Sequence, residues 1–464
     1  MNLYALIQSR FPVDRAKPCF ILPDGREISY AMLEQGVGRA AASLRAKGVK
    51  PGDRVAAQVE KRVGSAMLYL ATLQVGAIYA PLNTAYTDAE IDYFLADLEP
   101  ALTIRDIGAF AGESHIYEQD HAIEPRSADD IAAIIYTSGT TGRSKGAMLS
   151  HGNLAANAEA LIQTWGFTAD DVLLHALPIF HVHGLFISMH CALLTGSPVL
   201  WLEKFDDAEI VAALPRATVM MGVPTFYTRL LANPAFTREA AAHMRVFISG
   251  SAPLLESTFA EFEQRTGQRI LERYGMSEAV IITSNPLNGE RIAGSVGFAL
   301  PSVELRIAGG DIGEIEIKGP SVFRGYWRVP ERQRDFTADG YFRTGDIARQ
   351  DADGRVWITG RAKDLIISGG FNVYPKEIEL VLDALPGVVE SAVIGVPHHD
   401  FGEAVVAVVI GEGHEQSLIA AAREHLAPYK APKRIVFVDA LPRNAMGKVQ
   451  KAVLRETYKD LFSR

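Results

Sequence analysis

Short apolar runs alternate with stretches of helical period along most of the 464 residues. The run DRVAAQV at 53–59 has the length of a buried strand, and the segment SAMLYLATLQVG that follows it has the length of a helix. SPVLWL at 197–202, ATVMMG at 217–222 and MRVFISG at 244–250 are further strand-sized runs, separated by amphipathic segments. Because strands that alternate with helices form largely parallel sheets covered on both faces, the pattern predicts an α/β fold.

The pattern changes twice towards the C terminus. After about Gly319 the chain is rich in Gly, Pro, Asp and Arg, which is typical of loops. From Lys363 onward a strand, a helix, two strands, a helix and a strand follow one another within roughly 100 residues, the size of a small α+β domain. We therefore predict a large N-terminal domain over residues 1–361 and a small C-terminal domain over residues 362–464.

The composition excludes several classes of protein. The chain has 46 Lys and Arg against 55 Asp and Glu, and this net charge of −9 without a long basic run is not that of a nucleic-acid-binding protein. Its apolar runs are far shorter than the roughly 20 residues of a membrane span, and no targeting signal is visible at the start of the sequence. Cys19 and Cys191 do not form a CxxC pair. We therefore expect a soluble, cytoplasmic protein without a structural disulfide.

The strongest chemical motif is IIYTSGTTGRSKGAMLSH at 134–151. An apolar strand leads into a loop of Thr, Ser and Gly with one lysine, and then into a segment that favours a helix. Glycines let the backbone approach a polyanion, and consecutive N–H groups and hydroxyls donate to phosphate oxygens. Gly146 follows the lysine, so the motif is not the GxxxxGK[ST] phosphate loop. The predicted phosphate-binding residues are Thr137, Ser138, Gly139, Thr140, Thr141, Gly142 and Lys145.

This loop resembles the signature of the adenylate-forming superfamily, which contains acyl-CoA synthetases, peptide-synthetase adenylation domains and beetle luciferases. The other motifs of the superfamily are matched, in its order, by PIFHVHG (178–184), GSAPL (250–254), ERYGMSE (272–278), YFRTGD (341–346), GRAKDLI (360–366), GGFNVYPKEIE (369–379) and PRNAMGKVQK (442–451). The resemblance covers nearly the whole chain. It implies a large multi-sheet N-terminal domain and a small mobile α+β C-terminal domain that rotates between two half-reactions.

The chemistry implied by the resemblance joins two anions, a carboxylate and ATP, so positioning and charge neutralisation are most of the task. Lys448 is implied as the catalytic lysine and Lys145 as a second cation. Glu278 and Thr140 are implied as ligands of Mg²⁺, which prefers oxygen. The superfamily usually has Thr where this chain has Ser277. The further nucleotide contacts that the resemblance implies are Gly250, Ser251, Ala252, Tyr274, Gly275, Ser277, Asp346 and Arg361.

Three further features concern the second half-reaction. Lys363 lies at the hinge position of the GRAKD motif, where a few residues absorb the rotation. Gly369 and Gly370 resemble the loop that lines the passage for a pantetheine arm, which favours coenzyme A, or a carrier protein, as the acceptor. His181 is implied as an aromatic gate between this passage and the acid.

Arg273 occupies a position that commonly lines the acyl pocket and is often uncharged in this superfamily. A buried cation is costly without an anion, and the adjacent Glu272 points to the opposite face of a strand. A second carboxylate on the substrate would pair with the guanidinium through two hydrogen bonds, although an internal salt bridge is an alternative. We therefore predict a short dicarboxylate as substrate, malonate first and methylmalonate second. His183 adds a polar group, and Arg291 and Arg229 are weaker candidates for the same anion.

Local strings such as NTAYTDAEIDYF, HVHGLF and LERYGM also resemble the malonyl-CoA synthetases of this superfamily. The alternatives are a synthetase for another short acid and an enzyme that loads a carrier protein. Among related synthetases the lysine that corresponds to Lys448 is acetylated. A protein acetyltransferase and a deacetylase are therefore further candidate partners.

Overall fold

The computed structural model describes residues 1–137, 144–329, 335–444 and 447–462, with only the backbone at residue 372. The chain forms two compact units. The first contains Met1–Leu305 and Ile317–Phe342, and the second contains Arg306–Glu316 and Arg343–Arg464. The predicted domain boundary at residue 361 falls within the second unit. It stays a prediction, because it concerns the point about which the C-terminal domain rotates.

The strands are β1 (Pro18–Ile21), β2 (Glu27–Ser29), β3 (Arg54–Ala57), β4 (Ile78–Pro81), β5 (Leu102–Ile104), β6 (Ile131–Thr137), β7 (Lys145–Ser150), β8 (Leu173–His175), β9 (Val199–Trp201), β10 (Val219–Gly222), β11 (Val246–Ser249), β12 (Leu271–Met276), β13 (Val280–Ser284), β14 (Phe298–Ala299), β15 (Glu304–Ala308), β16 (Ile312–Lys318), β17 (Phe342–Gln350), β18 (Val356–Arg361), β19 (Ile366–Ser368), β20 (Phe371–Val373), β21 (Val388–His398), β22 (Gly402–Gly411) and β23 (Arg434–Phe437).

The α-helices are α1 (Leu3–Ser9), α2 (Tyr30–Ala46), α3 (Val63–Gln74), α4 (Asp88–Leu98), α5 (Ile107–Ser114), α6 (His151–Trp165), α7 (Met189–Thr195), α8 (Asp207–Ala213), α9 (Pro224–Ala232), α10 (Glu256–Thr266), α11 (Pro375–Asp383), α12 (Glu415–Arg423) and α13 (Lys451–Tyr458). A π-helix covers His183–Ser188, and 3₁₀ turns cover Leu214–Arg216 and Ala362–Asp364. Within the described ranges, none of these helices has both the length and the apolar character that crossing a membrane requires.

Two sheets lie wholly within the first unit, in the ranges that the structure describes. One has the strand order β14-β13-β12-β11-β10-β8-β9-β1-β2, and the other has the order β5-β3-β4-β6-β7. β10 runs parallel to both β8 and β11, and β3 runs parallel to both β4 and β5. Every residue of β10 and β11 is buried, as expected for parallel strands covered on both faces. The α/β fold predicted from the apolar runs is therefore confirmed.

A further sheet has the order β15-β16-β17-β18, and the second unit contains a sheet of order β20-β19-β22-β21 with β23 beside β22. Alternate residues of β22 face two separate apolar clusters. Val405 and Ala407 pack in one cluster with Ile378 of α11, whereas Val406 packs in the other with Leu454 of α13. Burial of both faces explains why AVVAVVIG is apolar without interruption. The strands and helices predicted after Lys363 occur in the predicted order, and the structure adds two elements that were not predicted, β20 before α11 and α13 after β23.

The segment after the predicted phosphate loop is a strand, so the helix expected there is wrong. β7 begins at Lys145 and pairs antiparallel with β6, with Thr137 opposite Lys145. α6 begins only at His151, where the Ser150 side chain accepts a hydrogen bond from a backbone N–H. A short apolar run such as GAMLS fits a strand or a helix equally well by its period, and pairing with β6 decides in favour of the strand.

Candidate active site

The carboxyl ends of β11 and β12 bring together several of the predicted site residues of the first unit. β11 and β12 are parallel neighbours. Residues 250–252 follow β11 directly, and Arg273, Tyr274 and Gly275 lie in β12. A Cβ on Gly275 would lie 1.9 Å from the Val280 carbonyl oxygen, so this position requires glycine. Ligands of open α/β sheets bind at this end of the strands, which makes this edge the candidate site.

The Arg273 side chain is a buried cation. The residue is 4% exposed, and its Nε and Nη2 atoms have no hydrogen-bond partner within the described ranges. Burial lowers the pKa of Arg273 to about 9, and Tyr227 acts in the opposite direction. Glu272 faces elsewhere, because its Oε1 accepts a hydrogen bond from the Gly294 N–H at 3.2 Å. The guanidinium therefore lacks a hydrogen-bonded acid among its described neighbours, as a group that awaits an anionic ligand would.

Gly250 provides the space in which the guanidinium lies. A Cβ on Gly250 would stand 2.5 Å from Arg273 Cζ and 2.6 Å from Nε and Nη1. These separations are far below a van der Waals contact, so a side chain here would displace the guanidinium. The sequence assigned Gly250 to the wall of the nucleotide pocket, and the structure adds this second contact.

Two histidines lie near this cation. His183, the first residue of the π-helix, is fully buried, and its Nδ1 lies 3.2 Å from the Ser251 hydroxyl. Nε2 of His183 has no hydrogen-bond partner within the described ranges. His181 Nδ1 accepts from the His183 N–H at 3.3 Å. Burial and the charge of Arg273 lower the pKa of both imidazoles, that of His181 to about 4, so both are neutral at neutral pH.

A second group of polar residues in the first unit contains Glu278 and Lys145. Glu278 is 6% exposed and lies in the turn between β12 and β13, together with Ser277. The Tyr326 phenol donates to Glu278 Oε1 at 2.8 Å, and the Lys145 ammonium lies 5.1 Å from the centroid of the same ring. Sequence reasoning missed Tyr326, because RGYW lies in a stretch that reads as loop. Ser138, Gly139, Thr140, Thr141 and Gly142 lie outside the described residues.

The oxygens of Glu278 fit the predicted magnesium site. A carboxylate is a hard ligand, and a cation held mainly by phosphate oxygens needs few protein ligands. A buried carboxylate that accepts a hydrogen bond also has a fixed orientation, as ligands of metal ions usually do. The donor chemistry at Glu278 is therefore compatible with Mg²⁺.

The two weaker candidates for the acid have other contacts. Arg291 donates from Nε, Nη1 and Nη2 to the carbonyl oxygens of Pro286, Arg269 and Leu287, at 3.1, 2.6 and 2.7 Å. Arg229 is exposed, and its guanidinium lies 5.6 Å from the centroid of the Phe205 ring. These contacts favour structural roles for both side chains, whereas Arg273 has donors without a partner in the part of the chain that the structure describes.

The predicted residues of the second unit include a charged cluster. Asp346 is 2% exposed and forms an ion pair with Arg361 at 2.8 Å, between β17 and β18. Lys448 is half-buried in a turn held by hydrogen bonds to Asn444. Desolvation and the charge of Arg361 lower the pKa of Lys448 to about 8, and Asp346 raises it. Lys363 also lowers the pKa of Lys448, so these side chains form one electrostatic group.

Gly369 and Gly370 form the turn between β19 and β20. Their φ angles are 60° and 82°, which a two-residue hairpin turn of this kind requires and which glycine adopts readily. Ile367 and Phe371 on either side are each 55% exposed. The predicted thiol-passage loop is thus a tight hairpin with apolar flanks.

The sequence matches two family models. The model described as AMP-binding enzyme matches residues 8–327, and the model described as AMP-binding enzyme C-terminal domain matches residues 377–448. Together these matches cover most of both predicted domains.

Curated relatives and a solved structure match most or all of the length of this chain. The chain is 36% identical to a feruloyl-CoA synthase of Amycolatopsis sp, over 94% of each protein, and 36% identical to a malonate–CoA ligase of Arabidopsis thaliana, over 84% of this chain and 75% of that protein. The crystal structure of ATP-bound MatB from Rhodopseudomonas palustris has 50% identity and a TM-score of 0.96, and the match covers 100% of this chain and 99% of that one.

Proposed function

The chain belongs to the AMP-binding enzyme family, and on this premise we propose that it joins malonate to coenzyme A. A malonate carboxylate oxygen attacks the α-phosphorus of ATP, and the bond to diphosphate breaks. The thiol of coenzyme A then attacks the acyl carbon of this malonyl-adenylate, and AMP leaves. Methylmalonate is a second substrate, since one methyl group changes binding by only about 1–3 kcal/mol.

The observation that carries this proposal is the buried guanidinium of Arg273. Its Nε and Nη2 atoms, which have no partner among the described residues, can bind the distal carboxylate of malonate, while the other carboxylate remains for the reaction. A monocarboxylate would leave these donors buried and unpaired, which costs about 1–3 kcal/mol or more for a charged group. The similarity to malonate–CoA ligases supports the same substrate.

Adenylation needs cations around the reacting oxygens. Lys448 is proposed to stabilise the charge that develops between the carboxylate and the α-phosphate, and Lys145 to bind the phosphates. Glu278, with Thr140, would hold Mg²⁺. When bound, Mg²⁺ neutralises phosphate charge and favours departure of diphosphate. Asp346 is proposed to accept hydrogen bonds from the ribose hydroxyls, with Arg361 beside it.

The remaining nucleotide and thiol contacts are also proposals. Tyr274 is proposed to stack on adenine, and the backbone of residues 250–252 to form the wall of that pocket. Lys363 is proposed as the hinge, and the Gly369–Gly370 hairpin as the lining of the passage for the pantetheine arm. The neutral His181 imidazole suits a gate, because an uncharged ring can move without an obligatory counter-ion. The cytoplasmic location stays a prediction.

A panel of acids tests the proposal. Thioester formation and diphosphate release are measured with acetate, propionate, malonate, methylmalonate, succinate and ferulate. Malonate is expected to give the highest kcat/KM, with methylmalonate second. A higher kcat/KM for propionate or ferulate would contradict the dicarboxylate assignment, and equal rates with a phosphopantetheinyl carrier in place of coenzyme A would favour the carrier-loading alternative.

Gly250→Ala is expected to impair malonate use through Arg273. The new methyl group would push the guanidinium away, and a displacement of about 1 Å costs about 10²-fold in kcat/KM. The KM for malonate should rise more than the KM for ATP. Gly112→Ala is the control, because a Cβ there would have no described atom within 4 Å. An unchanged KM for malonate in Gly250→Ala would contradict the contact.

A further inference from the structure

Tyr326 touches two residues that come from distant parts of the sequence. Its hydroxyl donates to Glu278 Oε1 at 2.8 Å, and its ring lies 5.1 Å from the Lys145 ammonium. The ring also packs edge-on against Phe323, with centroids 4.9 Å apart. The Phe323 N–H in turn donates to the Glu278 carbonyl oxygen at 2.7 Å. Tyr326 therefore contacts the predicted metal ligand and the lysine of the predicted phosphate loop at once.

The backbone around Tyr326 is fixed to β7. Tyr326 forms a bridge with Ala147. The Met148 N–H donates to the Gly325 carbonyl oxygen at 3.0 Å, and the Trp327 N–H donates to the Gly146 carbonyl oxygen at 2.7 Å. These backbone contacts place Tyr326 beside the start of β7, the strand that begins at Lys145. A side chain anchored in this way loses little additional freedom when it orients its neighbours.

Each of the two Tyr326 contacts restricts the position of a charged side chain. A carboxylate that binds a cation is oriented by the hydrogen bonds it accepts, and loss of such a bond weakens metal binding. A cation over an aromatic face is attracted by the ring, and the contact restricts where the ammonium can lie. One side chain can therefore set the positions of an anion and a cation that would both act on the nucleotide phosphates.

We propose that Tyr326 is a positioning residue, which orients the Glu278 carboxylate towards the divalent cation and holds Lys145 towards the phosphates. This inference rests on the proposed function. The phenol acts through Glu278, and the ring acts through Lys145. The two actions are separable, because Tyr326→Phe removes only the hydroxyl and Tyr326→Leu removes the ring as well.

Metal binding can be measured without turnover. Electron paramagnetic resonance follows free Mn²⁺ in the presence of α,β-methylene-ATP, and calorimetry gives the affinity for the nucleotide. Tyr326→Phe is expected to weaken Mn²⁺ binding by about 10-fold or more, with a smaller change in nucleotide affinity. Tyr326→Leu is expected to weaken nucleotide binding further. Tyr341→Phe is the matched control, since it removes a 2.8 Å bond from a phenol to the exposed Glu304.

A double-mutant cycle tests whether the phenol acts through Glu278. In a Glu278→Gln background, Tyr326→Phe should cause little further loss of Mn²⁺ affinity. A full additional loss there, an equal loss in Tyr341→Phe, or wild-type affinity in Tyr326→Phe would each overturn the inference while the proposed function stands. A wild-type protein that binds neither nucleotide nor Mn²⁺ would overturn the proposed function, and the inference with it.

Discussion

Replacing Arg273 with methionine is expected to lower kcat/KM for malonate by roughly 10²–10³-fold, because loss of one partner of a buried charged pair costs about 2–5 kcal/mol. Methionine fills much of the same space without the charge. The KM for ATP should stay near its wild-type value, since the guanidinium is assigned to the distal carboxylate of the acid. Initial rates with malonate and ATP varied in turn give both constants.

The selectivity of the Arg273→Met variant separates substrate binding from a structural role. A variant with a damaged fold would lose activity towards every acid, whereas loss of an anion-binding group should lower the ratio of malonate to propionate kcat/KM specifically. Arg216→Met, which changes an exposed arginine at the end of a 3₁₀ turn, controls for loss of surface charge. An unchanged ratio would mean that the guanidinium does not bind the acid.

Arg273→Lys is expected to fall between wild type and Arg273→Met. Lysine keeps the charge but replaces a planar fork with a single ammonium, so it cannot make the same pair of parallel hydrogen bonds. Its shorter reach also leaves the space over Gly250 partly empty. If Arg273→Lys matched the wild type in kcat/KM for malonate, charge alone, and not the fork, would account for selectivity.

The local pattern of apolar residues was sufficient to predict most of the fold. The strand runs before Gly222 and Gly250 are buried on both faces, so their uninterrupted apolar character identified β10 and β11 correctly. The run after Lys145 was misassigned, because five residues do not distinguish a period of 2 from one of 3.6. Its strand character depends on pairing with β6 and with Tyr326, which no local window contains.

In the candidate site, too, some features could be predicted from local sequence and others depend on contacts between distant residues. The motif resemblance was sufficient to propose roles for Glu278, Lys145 and Arg273, since each lies in a motif of the superfamily. The space at Gly250 depends on contact with a residue 23 positions later, and the role of Tyr326 depends on the approach of a loop to a distant turn. Such contacts are properties of packing, so composition and spacing did not predict them.

The pH dependence of adenylation is expected to follow Lys448. Its pKa is lowered to about 8, chiefly by desolvation, so the ammonium is charged below that pH and neutral above it. The proposed role of Lys448 requires the charged form, so the rate of adenylation should fall as the pH rises through about 8. An acetyl group on Lys448, the modification that the candidate acetyltransferase would add, would remove the same charge at every pH.

Replacing Lys448 with methionine is expected to lower the rate of adenylation by about 10³-fold, because the ammonium is proposed to act on charge that develops only in the transition state. Thioester formation from supplied malonyl-adenylate should be nearly unaffected, since that step no longer joins two anions. Single-turnover diphosphate release measures the first step, and malonyl-CoA formation from the adenylate measures the second. Lys459→Met, which removes an exposed partner of Glu456, controls for loss of a surface cation. Equal losses in both steps would mean that Lys448 supports the structure of the second unit and not the first transition state. An electrostatic role in adenylation requires a loss in that step without a comparable loss in thioester formation.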